Sequence, residues 1–293
     1  MRRAASLGLL VAEEPSLAGG EKRDAILVLS FGTTFRQTRK KTIDAVVEEV
    51  RRTCPHVEVR LAFTSHIVIE RVKEHEGISY PTPEEALRKL KEEGYTRIAL
   101  ASLDIIPGIE YSYKREVFDA CRSWFHRMTL GTPLLYWQGQ EEKRDDVAEV
   151  MAAVAAELPA CALDEAVLLM AHGTPHPANA YYAVMQERLE ELGASRVFIY
   201  TVEGRPFLAD ILPKLKAMGV KKVTLAPLML VAGDHAMNDM AGDEPDSHKS
   251  ILQREGFMVQ TMLRGIGENA AVRKIFAARA GEAYEVLCRG ADA

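Results

Sequence analysis

The chain repeats itself, and that limits its fold more than any other feature. AILVLSFG (Ala25 to Gly32) returns as AVLLMAHG (Ala166 to Gly173), and VEVRLAFTS returns as RVFIYTVEG. GYTRIALASLDIIPGIEY (Gly94 to Tyr111) returns as GVKKVTLAPLMLVAGDHA (Gly219 to Ala236). The paired segments occur in the same order, which is the signature of a duplicated structural unit. Apolar runs closing on glycine read as buried strands, and TRKKTIDAVVEEVRRTC and TPEEALRKLKEEG between them have helical spacing. Thr82 is placed to start the second of these helices and Gly94 to end it. A helix from about Glu110 to Phe125, a short strand near 128–130 and a helix over about 140–157 complete the first copy. FMVQTML and ENAAVRKIFAARAGEAYEVL complete the second. The pattern predicts an α/β protein of two similar domains, each a parallel sheet flanked by helices. The expected divisions are a flexible leader over 1–23, an N-terminal domain over 24–158 and a C-terminal domain over 159–293. The last helix is allowed to pack back on the first domain.

Composition removes several function classes. With a net charge of −5 and no Lys/Arg stripe, the chain is not expected to bind nucleic acid. Cys54, Cys121, Cys161 and Cys288 lie far apart with no C-x-x-C pair, which fits reduced thiols and a cytoplasmic protein. Arg2 and Arg3 before LGLLVA imitate an export signal, but that run of six residues is shorter than a working apolar region needs, so periplasmic export is the minority reading. No run is long enough to span a bilayer, so no membrane partner is expected. SFGTTF lacks both the dinucleotide and the Walker glycine patterns, and no nucleotide is expected. There is no G-x-S-x-G elbow.

Open parallel sheets bind ligands outside the carboxyl ends of their strands, here expected in an interdomain cleft. The repeat sets Phe31 opposite His172, His66 opposite Glu203, and Glu110 opposite His235. Polar groups thus collect at three strand ends of the second half, with Glu110 offered by the first. Singly, each has a bland reading: His172 bonded to nearby backbone, Glu203 capping a helix near Pro206, His235 a satisfied loop residue, Glu110 a first-turn carboxylate. Together they place His, Glu and His at one ligand-binding edge. His176 follows His172 by four, but Gly173, Pro175 and Pro177 argue against a helical pair. His248 reads as a solvated helix start, and His56, His75 and His126 have no evident partners. Two imidazoles and a carboxylate suit Co²⁺, Ni²⁺, Fe²⁺ or Zn²⁺ rather than Ca²⁺ or Mg²⁺.

LVLSFGTTF, RLAFTSHIVIERV, SLDIIPGIEY, AHGTPH, the glutamate of YTVEG and above all PLMLVAGDHAMNDMAGD resemble the anaerobic cobalt chelatases, the CbiK-type sirohydrochlorin cobaltochelatases of the ATP-independent class II group. The resemblance runs from about Asp24 to about Leu287. It implies insertion of Co²⁺, the substrate metal, into sirohydrochlorin, with Fe²⁺ or Ni²⁺ accepted in vitro. It puts the metal on His172, Glu203 and His235, and catalytic roles on His172, His235 and Glu110. Phe31, Gly32, Thr33, Ser102, Gly173 and Gly233 are expected to meet the tetrapyrrole, with Arg36 and Arg205 as weaker candidates for its carboxylates. Asp104 stands where some relatives are expected to have histidine, and His66 is another variable position. Rival readings are Fe²⁺ insertion into this or another tetrapyrrole, and a non-catalytic carrier. A homo-oligomer is left open.

Overall fold

A computed structural model describes residues 2–289, and they fall into two compact units. The first holds the chain up to Arg144 together with the segment from Arg273 onward; the second is Asp145–Val272.

The first unit contains β1 (Leu10–Glu13), β2 (Asp24–Ser30), β3 (Glu58–Phe63), β4 (Arg97–Ser102) and β5 (Arg127–Leu130), in the sheet order β1-β5-β4-β2-β3. All pairings are parallel except β1 with β5. Leu27 and Leu29 pack with Leu87, Leu90, Ile98, Leu100 and Phe118, while Ile26 and Val28 are equally buried on the other face. A strand covered on both faces must be apolar at every position, which is why AILVL shows no alternation. Each such side chain contributes about 1.5–3 kcal/mol by leaving water. Thr82 and Glu85 form a reciprocal capping box at the start of helix Pro83–Glu92.

The second unit contains β6 (Glu165–Ala171), β7 (Val197–Thr201), β8 (Lys222–Pro227) and β9 (Met258–Thr261), in the order β7-β6-β8-β9, all parallel. Leu168 and Met170 join Tyr200, Ile211, Leu215 and Leu225 in its core. Matching β2 to β6 makes this the order β3-β2-β4-β5 of the first unit, so the duplication extends to topology. It extends also to charge. Asp24 lies beside Arg97 in the register, 2.5 Å from its guanidinium; Glu165 lies beside Lys222, 2.9 Å from its ammonium. Both pairs tie together the amino ends of the central strands, at the opposite end from the functional edge.

Two expectations change, the leader and the domain boundary. Residues 10–13 are not a flexible leader but an antiparallel strand, with Leu10 opposite Leu130 and Glu13 in an ion pair with Arg127 at 2.7 Å. Open strand edges need partners for their backbone groups; a four-residue strand is too short for periodicity to reveal. The boundary expected at 158 falls instead between Arg144 and Asp145, because helix Asp146–Ala155 goes with the second unit. From Arg273 onward the last helix, Ala270–Arg289, belongs to the first unit. There Arg127 and Thr129 donate to the carbonyls of Leu287 and Ala283.

Candidate metal centre

The second sheet delivers His172, Glu203 and His235 to one place: a ligand atom of each lies within 4.8 Å of the others. His172 immediately follows β6, and Glu203 lies just beyond β7. The Glu203 N–H donates to the His172 carbonyl at 2.8 Å, prolonging the parallel ladder past both strands. The loops touch through glycine. Gly173 has φ +83°, and a Cβ on it would lie 2.3 Å from the Gly204 nitrogen. Left-handed backbone and backbone collision both exclude a side chain there. Gly173→Ala is therefore expected to cost about 3 kcal/mol in urea denaturation. It should also separate the His172 and Glu203 loops, so that Co²⁺ binding, followed by competition with a chromophoric chelator, weakens as well.

His235 arrives differently. After β8 the chain bends and enters a helical turn that widens into a π-helix over Ala236–Met240. Widened turns of this kind occur often at functional sites. Ala236 and Met240 sink into the core, which turns His235 and Asp239 outward on the adjacent face. Asp239 Oδ2 lies 2.5 Å from His235 Nδ1, while Asn238 donates to Asp234 at 2.8 Å. Holding a proton on Nδ1 leaves Nε2 with the lone pair for a metal, the usual carboxylate–histidine arrangement. Gly233 is not among the left-handed glycines; its carbonyl accepts the Met237 N–H and opens the turn.

The two imidazoles stand edge to face, with centroids 4.8 Å apart and planes at 83°. His172 Nδ1 is 3.0 Å from the Gly173 carbonyl and 3.8 Å from Glu203 Oε2. Side-chain exposures of 47% for His172, 55% for Glu203 and 34% for His235 describe an open site. An ion could enter it without desolvating buried charge.

The remaining sequence candidates are placed by their own elements in each unit. In the first unit Phe31 is exposed at the end of β2, and Gly32 (φ +93°) packs on the Phe63 ring. Thr33 is buried and accepts the Phe35 N–H. Ser102 is buried with its hydroxyl donated to Asp104. Glu110 occupies the first turn of helix Ile109–Cys121, 3.4 Å from the Thr64 hydroxyl. His66 is exposed at a helix start. Arg36 lies 3.7 Å from Glu76 and Arg205 3.6 Å from Asp210, both exposed. His176 accepts the Ala178 N–H on Nδ1. Glu203 caps no helix: the helix beyond it is Leu208–Ala217, and Asp210 accepts the Phe207 N–H there.

His248 is not a solvated helix start. Its Nδ1 is 3.0 Å from the hydroxyl of the fully buried Tyr200, and their rings meet edge to face. Burial pulls its pKa below the ordinary 6.5, opposed by the charge of Asp239. A histidine kept neutral by the fold takes its proton more readily when unfolded, so its contribution to stability is intact above about pH 6.5 and lost as pH falls. Stability should decline on acidification below that point, by at most about 1.4 kcal/mol per pH unit for this residue. Urea denaturation from pH 5 to 8 should show a shallower slope in His248→Gln than in wild type.

Two α/β units with an open His–Glu–His cluster at the carboxyl edge of one sheet define a chelatase-like protein. Among solved structures, DR2241 of Deinococcus radiodurans is described as a multi-domain protein with structural similarity to chelatases and two additional domains. It aligns with a TM-score of 0.54 at 15% identity, over 90% of this chain and 56% of its own, so this chain spans about half of that protein. The family described as cobalt chelatase (CbiK) matches residues 24–285, and the chain belongs to that family. It is 37% identical to the sirohydrochlorin cobaltochelatase of Salmonella typhimurium, over 90% of this chain and 97% of that one. It is 39% identical to sirohydrochlorin cobaltochelatase CbiKC of Nitratidesulfovibrio vulgaris, over 84% and 85% respectively.

Proposed function

We propose that this protein inserts Co²⁺ into sirohydrochlorin without ATP. The observation that carries the reading is the convergence of His172, Glu203 and His235 in a member of the cobalt chelatase family. Nitrogen and oxygen donors without thiolate suit Co²⁺ and hold it weakly enough to be passed on. His235 presents Nε2 while Asp239 fixes its ring, His172 supplies the second imidazole, and Glu203 balances charge. Insertion exchanges two pyrrole protons for the metal: the free ring and Co²⁺ give the cobalt ring and two protons. Glu110, at the carboxyl edge of the first sheet, is assigned to accept protons from the ring. Phe31, Ile67 and Ile109 expose large apolar side chains at that edge, suited to a macrocycle face. The N–H groups of Gly32, Gly173 and Thr174 donate to Ser30, Tyr182 and Asn179, so the ring carboxylates are assigned to the backbone N–H groups of Thr33 and Thr34.

The four cysteines are free, and the protein is assigned to the reducing cytoplasm. Among the described residues no helix is long and apolar enough to cross a membrane. The test is anaerobic absorbance of sirohydrochlorin with excess Co²⁺, catalytic protein and no ATP, with Fe²⁺ in a parallel arm. Many equivalents of cobalt product per chain are expected. A spectral change that stops at one equivalent would make the protein a carrier, and faster insertion of Fe²⁺ would make it an iron chelatase.

A further inference from the structure

Asn179 lies on the short 3₁₀ helix Pro177–Ala180 and bridges the two loops that carry His172 and Glu203. Its Oδ1 accepts the Thr174 N–H at 3.2 Å, and its Nδ2 donates to the Arg205 carbonyl at 2.9 Å. Thr174 is two residues beyond His172, and Arg205 two beyond Glu203. The side chain thus joins equivalent points on both loops. It also closes over their contact, since a Cβ on Gly204 would lie 2.1 Å from Asn179 Oδ1 and 3.0 Å from the Gly173 Cα. Gly204 is fixed from its other side by its N–H, which donates to the Thr201 hydroxyl at 3.1 Å.

An amide is the side chain this bridge needs, because one end must accept from a backbone N–H while the other donates to a carbonyl. A carboxylate supplies only the acceptor, and an aliphatic residue supplies neither. His172 and Glu203 are exposed side chains on loops, so little packing around them fixes their separation. The backbone beneath them is what is clamped.

We propose that Asn179 is a positioning residue that sets the separation of His172 and Glu203, and through it the affinity of the site for a divalent metal. This rests on the cluster being the metal site. Outer partners of metal ligands typically tune affinity 10–100-fold.

The test measures Co²⁺ binding to the full chain, without tetrapyrrole, by competition with a chromophoric chelator. Asn179→Ala is expected to weaken binding about 10–100-fold and to raise KM for Co²⁺, leaving kcat and KM for the tetrapyrrole within about twofold of wild type. Asn179→Asp, which keeps the acceptor for Thr174 and loses the donor to Arg205, should fall between; it carries the test should the alanine variant fold poorly. With His172 already replaced by alanine there is no separation left to set, so adding Asn179→Ala should have no further effect. Wild-type binding by both Asn179 variants, or an equal loss with and without His172, would overturn the proposal. Wild-type binding by His172→Ala and Glu203→Ala would instead overturn the metal site itself, and the proposal with it. Loss in those two with no loss in the Asn179 variants removes the clamp alone.

Discussion

His235→Ala is expected to lower kcat/KM for Co²⁺ insertion by more than about 100-fold, beyond the range set by loss of an outer-sphere partner. Among the described residues the imidazole is one of three donors in the cluster, and on its own turn Asp239 is engaged with Nδ1 and Asn238 with Asp234. Asp239→Ala should cost less, about 10–100-fold, because it frees the ring's tautomer and angle without removing a ligand. Steady-state absorbance assays with Co²⁺ varied at saturating tetrapyrrole would rank the two variants. Both substitutions lie on a half-exposed face of a turn anchored by Ala236 and Met240, so the urea midpoint should move little. Wild-type turnover in His235→Ala would remove this residue from the reaction.

The second large effect concerns stability. Lys114 has 0% side-chain exposure, and its Nζ lies 2.6 Å from Asp104 Oδ2 in the first unit. Asp104 also accepts the Ser102 hydroxyl at 2.8 Å. Asp104→Ala leaves an ammonium buried without its counter-charge, and breaking such a pair from one side costs about 3–5 kcal/mol. Joining it to Lys114→Met, which removes the orphaned charge, should recover most of that loss. Urea denaturation of wild type, the single variant and the double variant reads both numbers. A single-variant loss under about 1 kcal/mol, the value of an exposed pair, would mean that water reaches Lys114.

Asp104 also illustrates how far a sequence carries. The segment SLDII is legible as a strand end, and the aspartate as a departure from the histidine expected in some relatives. Its partner is ten residues further on, in the helix that packs beneath it, and nothing in local spacing points there. The same holds for His248. The sequence around it, EPDSHKS, looks solvated, yet tertiary packing sets the imidazole against Tyr200 of β7. Strand β1 was hidden for a related reason, since an edge strand of four residues is defined by its pairing with β5 rather than by its own pattern.

The duplicated order of apolar runs determined the α/β class, the parallel central strands and the equivalence of their carboxyl ends. A strand buried on both faces has to be written in continuous apolar residues, and that constraint is local. From those equivalences the sequence also nominated His172, Glu203 and His235. Only the tertiary structure decided that their ligand atoms come within 4.8 Å of one another, that Asp239 rather than Asp234 or Asn238 holds the His235 ring, and that Asn179 bridges the two loops. Those outcomes depend on a widened helical turn and on two glycines that touch across a gap in the sequence. Contacts of this kind are fixed by where whole strands are held in the sheet, which no spacing along the chain encodes.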